Sequence, residues 1–440
     1  MNSVYALSAR ALTMVIALVC GIITTRLVIG EAGVDYFALY SLLVTMPSLL
    51  AFTDLGSGAV IVNSVATSDD YRKDETLRYQ LTSVGRILLM FAATTMVVNT
   101  VLLLTGGWSV IFGSAGALPN AGLAAFVCLT IFSLGVPIGI WVRIMLGLRR
   151  NHIVILLQGL ISPSTLLGVW LLLQLDGQAA FSFLAVSSYI ASFIVSVLGL
   201  LLTTRSTKPL VPSAAAMLLH PRRHPGVRVM DVGLPMLAQL VSYPIAVSTQ
   251  RYVLAQWGTH SDVAEYGVAG QVFFALGGLV SAAGVALWPL FAQRRHRGEL
   301  NRGPFPLAAL FAGSIALAAA FIWFIGPWLF GFITDGELQV GGGTILAFGL
   351  MISMTAAVYP LGMFIMDKPG IRFQVIPTLA MAAVSLALSI VLTPVLGVMG
   401  PPLGNAIALF TCQVIPFSIY IIRNRERLMG AGKQKGAESA

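Results

Sequence analysis

Arg26 and Arg251 are the two residues whose type and setting most suggest chemistry. Arg26 lies in Ile23-Thr24-Thr25-Arg26-Leu27-Val28-Ile29, and Arg251 lies in Val247-Ser248-Thr249-Gln250-Arg251-Tyr252-Val253-Leu254. Each follows hydroxyl residues late in an apolar run, and each is followed by a tyrosine, Tyr36 or Tyr266, that opens the next run. A guanidinium stays charged and offers its donors in a planar fork that meets a phosphate with two hydrogen bonds at once. Two of them facing one water-filled space would make a site for a phosphorylated ligand. Arg10, Arg86 and Arg143 are the other arginines outside the basic connections. All five lie within a turn or two of the end of an apolar run, where a long side chain can instead snorkel to the membrane surface.

Asp54, in Thr53-Asp54-Leu55-Gly56-Ser57-Gly58, is the only carboxylate deep within an apolar run. A charge at the centre of a bilayer costs about 2.5–3.5 kcal/mol on insertion scales, so it requires a partner, a proton or water. Two readings stand side by side: cavity polarity with an arginine partner or proton coupling, and a cap on backbone amides freed at a kink between two glycines. Other chemistry is missing. There is no phosphate-binding glycine loop ending in Lys-Ser/Thr, no Gly-x-Ser-x-Gly elbow and no zinc spacing, so ATP hydrolysis and nucleophilic catalysis have no residues to use, and no enzyme is expected. Cys20, Cys128 and Cys412 are scattered in apolar runs, and the five histidines fall in or beside connections, so neither a disulfide framework nor a metal is expected.

These residues are carried by a chain that can only be membrane-embedded. Its 440 residues are 57% hydrophobic and 10% charged, with a mean hydropathy of +0.88, whereas a soluble chain carries charge on roughly a quarter of its residues. The runs are long and continuous rather than alternating, as required when each backbone group is satisfied within its own helix, so the fold class is all-α. Twelve spans are expected: 6–29, 36–66, 81–104, 120–147, 153–175 and 179–202, then 230–256, 262–291, 304–326, 341–366, 373–393 and 402–422. The second contains Pro47, and the eighth contains Gly277, Gly278 and Pro289, so both are expected to kink or break.

Charge fixes the orientation. One alternate set of connections, with the tail, holds 21 of the 26 lysines and arginines; the opposite set holds none, but carries Glu31, Asp35, Asp176, Asp335 and Glu337. Basic connections are retained in the cytoplasm, so both termini are cytoplasmic. The net charge of +9 is thereby accounted for without a nucleic-acid partner. Arg10 and Arg143 fit the snorkelling reading best. Arg26 and Arg251 fit it less well, because they sit at equivalent places on the exterior side, where every other basic residue is absent.

That equivalence belongs to an internal repeat. Besides the two arginine stretches, Trp108 to Phe112-Gly113 after the third span matches Trp328 to Phe330-Gly331 after the ninth. The domains expected are a six-helix lobe over 1–202, a cytoplasmic linker over 203–229, a second six-helix lobe over 230–422 and a basic tail over 423–440. Both halves run in the same sense, as parallel repeats related by a pseudo-two-fold along the membrane normal, with a cavity expected between them.

Several short motifs resemble one family. The early arginine with its small exterior turn before a tyrosine, Asp54-Leu55-Gly56 followed by Gly58-Ala59, Gly233-Leu234-Pro235 at the start of the second half, and Leu396-Gly397-Val398-Met399-Gly400 before the last span are similar to the Wzx-type lipid-linked oligosaccharide flippases. These form the polysaccharide transporter branch of the multidrug/oligosaccharidyl-lipid/polysaccharide exporter (MOP) superfamily. The resemblance implies a monomeric, alternating-access flippase of the bacterial inner membrane. Its cargo would be a polyprenyl-pyrophosphate-linked oligosaccharide for capsule, exopolysaccharide or O-antigen synthesis, with a polymerase and glycosyltransferases as partners and no cofactor. Arg26 and Arg251 would neutralise the pyrophosphate, and Arg86 and Arg143 would receive it at the inner mouth. Asn63, Gln250, Tyr36 and Tyr266 would contact sugars. Members often have arginine where this chain has Asn63 and aspartate where it has Gln250, a departure that favours an anionic ligand. A cation-coupled drug antiporter and a non-transporting scaffold of a glycan assembly complex are the alternatives.

Overall fold

The computed structural model describes residues 2–50, 58–68, 70–175, 177–218, 220, 226–227, 241–242, 244–297, 300 and 303–429. Two compact units divide the chain, Met1–Pro244 and Ile245–Ala440. Every described element is helical. Among the described residues, nine helical stretches are long and apolar enough to cross a bilayer, which makes this a polytopic membrane protein.

The first unit contains α1 (Asn2–Ala32), α2 (Val34–Leu49), α3 (Gly58–Thr67), α4 (Glu75–Leu104), α5 (Gly107–Phe112), α6 (Ala121–Ile138), α7 (Ile140–Gly147), α8 (Asn151–Gly159), α9 (Ile161–Leu173), α10 (Gln178–Phe181), α11 (Val186–Ser206) and α12 (Leu210–Leu218). Helices α1 and α11 pack on α9, and α4 packs on α6. The expected second span is realised as α2 and α3, with Pro47 in the last turn of α2. Asp54 and Gly56 lie outside the described residues, as does Gly233-Leu234-Pro235. The expected linker is not a plain loop: α12 lies against α4, where Leu210 and Ala214 join Leu77, Leu81 and Val84 in one buried cluster.

In the second unit a π-helical turn, Pro244–Ser248, leads into α13 (Gln250–Trp257). Next come α14 (His260–His296), α15 (Phe305–Thr334), α16 (Gly342–Phe364), α17 (Lys368–Leu396), α18 (Gly400–Leu409), a second π turn at Phe410–Val414, α19 (Ile415–Arg423) and α20 (Arg425–Met429). The expected break in the eighth span does not occur: α14 runs without interruption through Gly277, Gly278 and Pro289. Its end is tied down by Arg295, whose Nε and Nη2 donate to the carbonyls of Leu428 and Phe364 at 2.9 and 2.6 Å. Between α17 and α18 the chain reverses at Gly397, whose φ of +56° is open to glycine at little steric cost.

The repeat preserves some environments and not others. Phe112 and Phe330 are both buried, whereas Trp108 is buried and its counterpart Trp328 is 71% exposed. Trp108 stacks on Phe112, but Trp328 stacks on Phe332.

Helix α4 starts at a side-chain cap. Asp74 Oδ1 accepts from the backbone N–H of Leu77 at 3.0 Å, and Oδ2 accepts from the Ser68 hydroxyl at 2.8 Å. These two bonds, the backbone one first, hold the Asp74 carboxyl below its usual range. A depressed carboxylate contributes stability that is complete above the ordinary aspartate value of about 3.9 and is lost as pH falls through the folded value. Asp74→Ala should therefore destabilise the detergent-solubilised protein by about 0.5–2 kcal/mol at neutral pH. The gap between variant and parent melting curves should close in acid; a gap that persists below pH 3 would show that the carboxylate is not the source.

Candidate functional site

The polar residues that converge in this protein lie in the second unit, around the π turn. Gln250 is 1% exposed and Tyr266 is fully buried. The Tyr266 hydroxyl donates to Gln250 Oε1 at 2.7 Å, and Gln250 Nε2 donates to the Ala246 carbonyl at 2.7 Å. That carbonyl also accepts from Ser385 Oγ at 3.0 Å and from Asn405 Nδ2 at 3.1 Å, and Asn405 Nδ2 lies 2.9 Å from Ser385 Oγ. Three elements are thus tied to one carbonyl of the π turn: the start of α13, the middle of α17 and the middle of α18.

Local sequence accounts for the convergence. The π turn interrupts the regular helical winding just before Gln250, and such turns occur often at functional sites. A two-residue turn, Gly258-Thr259, follows α13. The Thr259 hydroxyl accepts from Asp262 N at 3.2 Å, and Asp262 Oδ2 accepts from Thr259 N at 2.7 Å, a reciprocal cap that starts α14 at once. The tight reversal lays α14 back along α13 and sets Tyr266 opposite Gln250.

Arg251 stands over this network. It is half-buried, and its guanidinium carbon is 5.7 Å from the centroid of the Tyr266 ring, within cation–π range. Tyr266 is itself wedged against Phe348, ring centroids 4.9 Å apart. Gly270, one helical turn beyond Tyr266, leaves the space that the charge uses: a Cβ there would lie 3.6 Å from Arg251 Nη2 and 2.9 Å from the edge of the Phe274 ring. The structure therefore brings Gln250, Arg251 and Tyr266 together. Gln250 and Tyr266, expected to contact sugars, are buried here with their polar ends bonded to protein partners inside the unit.

In the first unit Arg26 is half-buried on α1, preceded by buried Thr24 and Thr25 and followed by buried Val28 and Ile29. The second unit repeats this pattern, with Ser248 and Gln250 buried before Arg251 and Val253 and Leu254 buried after it. Tyr36 is half-buried and meets Phe181 edge-on at 5.5 Å. Asn63 is exposed on α3, and Arg143 is half-buried on α7. Arg86 donates through Nε and Nη2 to the carbonyls of Leu218 and Met217 at 3.3 and 2.9 Å. It closes the C-terminal end of α12, where orphan carbonyls favour a cation.

Ser385 and Asn405 are the site residues that sequence reading missed. A signal was present. Ser385, Ser389 and Thr393 recur every four residues along one face of α17, and Asn405 is an amide inside an apolar run. Among the described residues no three of His, Cys, Asp and Glu gather as metal ligands.

No protein-family model matches the chain, and no curated protein does. Solved structures do resemble it. The lipid II flippase MurJ, in an inward closed conformation, aligns with a TM-score of 0.71 at 13% identity over 97% of this chain and 90% of its own. An inward-facing multidrug resistance transporter of the MATE family, in the MOP superfamily, gives 0.60 at 16% identity over 98% and 99%. A MOP-superfamily transporter from Pyrococcus furiosus, with a binding pocket of reverse polarity, gives 0.57 at 14% identity over 96% and 95%. The chain has the fold of the MOP-superfamily membrane transporters.

Removal of a donor from this buried network should be costly, because lipid offers no replacement. Asn405→Ala, and separately Tyr266→Phe, should each lower stability by about 1–3 kcal/mol, read as a lower melting temperature in detergent. Unchanged melting in both would mean that the convergence is incidental to the fold.

Proposed function

We propose that the protein is a flippase for a polyprenyl-pyrophosphate-linked oligosaccharide, working by alternating access in the bacterial inner membrane with both termini cytoplasmic. The observation that carries the reading is the matched setting of Arg26 and Arg251: one in each unit, each half-buried late in an apolar run, each flanked by the same order of buried hydroxyl or amide and buried aliphatic residues. The fold likeness to a flippase of a lipid-linked precursor is in keeping with it.

In this reading the two guanidinium groups neutralise the pyrophosphate while the isoprenoid tail stays in the bilayer. Gln250 and Tyr266 act indirectly, by fixing the posture of Arg251 from below. Tyr36 and Asn63, which keep exposed surface, remain the residues offered to the sugars, and Arg143 serves the cytoplasmic mouth. Arg86 contributes positive potential there while its donors hold α12. A downstream polymerase and glycosyltransferases would supply and consume the cargo.

The likeness to multidrug transporters raises the alternative of a cation-coupled antiporter. The sequence opposes it: between Glu265 and Asp335, and again from Gly341 to Met366, the second half contains no acidic residue inside an expected span. Complementation of a flippase-deficient strain separates the readings. Each charge-assisted hydrogen-bonding site is worth about 1.5–3 kcal/mol, so Arg26→Ala and Arg251→Ala should each cut export of the lipid-linked intermediate by roughly 10- to 150-fold at unchanged membrane abundance. Arg→Lys should recover only part of it, since an ammonium lacks the bidentate fork. Full export by both alanine variants would leave a scaffold, and drug efflux that depends on Asp54 but ignores Arg26 would establish the antiporter.

A further inference from the structure

The N-terminal unit holds a cavity of about 140 Å³ between α4, α7, α11 and α12. Its walls are carbon: Leu81 and Leu89 of α4, Pro137 and Ile144 beside α7, Leu200 of α11 and Leu218 of α12. An apolar cavity of roughly 150 Å³ stays dry and admits a six-carbon guest, so this one suits a short length of hydrocarbon chain and not water or a polar solute. It reaches the surface. Leu89 is 40% exposed, and Ala215, on the α12 side of the wall, is exposed as well. The neighbouring surface of α4 and α11 is that of a lipid-facing helix, with Met90 63%, Leu198 43% and Leu201 53% exposed.

Depth and charge narrow the guest. Leu81 and Leu89 lie 6 and 14 residues after Glu75, the first residue of α4, or roughly 9 and 21 Å along a helix rising about 1.5 Å per residue. That start is on the side of the basic connections, so the cavity spans the outer carbons of that leaflet. Arg78 is one turn nearer the helix start than Leu81, on the same face, and its buried Nε has no hydrogen-bond partner among the described residues. Further along α4 the Arg86 guanidinium bonds the carbonyl of Leu218, a wall residue. A chain that is apolar at this depth and anionic one turn nearer the surface is a phospholipid with an acidic head group.

We infer that this cavity is a binding site for one acyl chain of an anionic phospholipid from the cytoplasmic leaflet, held beneath α12 with its phosphate at Arg78. The site does not rest on the flippase reading. Because α12 forms one wall and belongs to the segment joining the two halves, the bound chain becomes part of the packing that seats this connector on α4. Gly85, whose Cβ would lie 2.8 Å from Leu218 Cδ2, marks how closely the connector approaches.

The test uses the full-length protein in nanodiscs containing phosphatidylglycerol with a diazirine in the acyl chain, followed by peptide mapping of the photoadducts. Segments 75–104 and 210–218 should label at least fivefold more than α15, which offers an ordinary lipid-facing surface. Ala215→Phe, which fills the cavity, should abolish that excess and leave labelling of α15 unchanged. Leu89→Trp, at the mouth, serves as a second filling variant if the first does not fold. Arg78→Gln should remove the preference for phosphatidylglycerol over a phosphatidylcholine probe. The assignment is overturned if the two segments label no more than α15, if folded filling variants label like the parent, or if polyprenyl phosphate displaces the probe more effectively than unlabelled phosphatidylglycerol.

Discussion

Lipid gives a buried carbonyl nothing to bond with, and the second half of this protein is arranged around one carbonyl that takes three donors. Ala246 lies in a π turn, fully buried, and accepts from Gln250, Ser385 and Asn405. In water such a group would exchange partners at little cost. In a bilayer each lost donor leaves a desolvated oxygen, so the three elements carrying those donors are constrained together. The charge of Arg251 inherits that constraint, because Gln250 fixes the Tyr266 hydroxyl and the Tyr266 ring lies against the guanidinium. Packing among apolar side chains cannot supply the same specificity, since lipid tails are as apolar as the helices they compete with.

The two halves share a pattern without sharing its support. Arg26 and Arg251 have the same sequence of buried neighbours, yet Tyr36 packs edge-on to Phe181 while Tyr266 is sealed under Arg251. The paired tryptophans Trp108 and Trp328 diverge in the same way, one buried and one exposed. Duplicated segments keep what the position along the helix imposes, which is where a charge can stand relative to the bilayer. They are free to change what lies to the side. A charge placed by depth and held by different neighbours in each half is able to meet an asymmetric cargo without losing its electrostatic role.

What the sequence made legible follows the strength of the physical signal. Long apolar runs and one-sided basic connections come from the solvent itself, and each of the twelve expected spans contains helix among its described residues. Interruptions were harder to place. Pro289 does not break α14, because neighbouring groups in a membrane bundle can re-satisfy the backbone that a proline frees, whereas the run through Pro47 ends within two residues of it. The segment 210–218 is too short to register as a span and so passed for loop, which hid both α12 and the use of Arg86 at its end. Gln250 and Tyr266 were found as polar residues near an arginine, but the direction they face depends on the turn at Gly258-Thr259. Ser385 and Asn405 went unread because an isolated hydroxyl or amide in an apolar run does not distinguish a shared acceptor across helices from a bond to its own backbone.

A fold common to flippases and drug transporters leaves the cargo to be argued from the site. Within the second unit two acids at the start of α14 bond to backbone N–H groups: Asp262 closes the cap with Thr259, and Glu265 Oε1 accepts the backbone N–H of Gly341 at 2.9 Å. Both sit in the first two turns of α14, at its border, where water and backbone donors satisfy a carboxylate cheaply. Arg251 lies deeper in the second half, its guanidinium over the Tyr266 ring whose hydroxyl is bonded to Gln250. An aromatic ring attracts a guanidinium through its quadrupole and carries no net charge of its own, so the Tyr266 contact positions Arg251 without cancelling its field, which reaches further in a low-dielectric medium than in water.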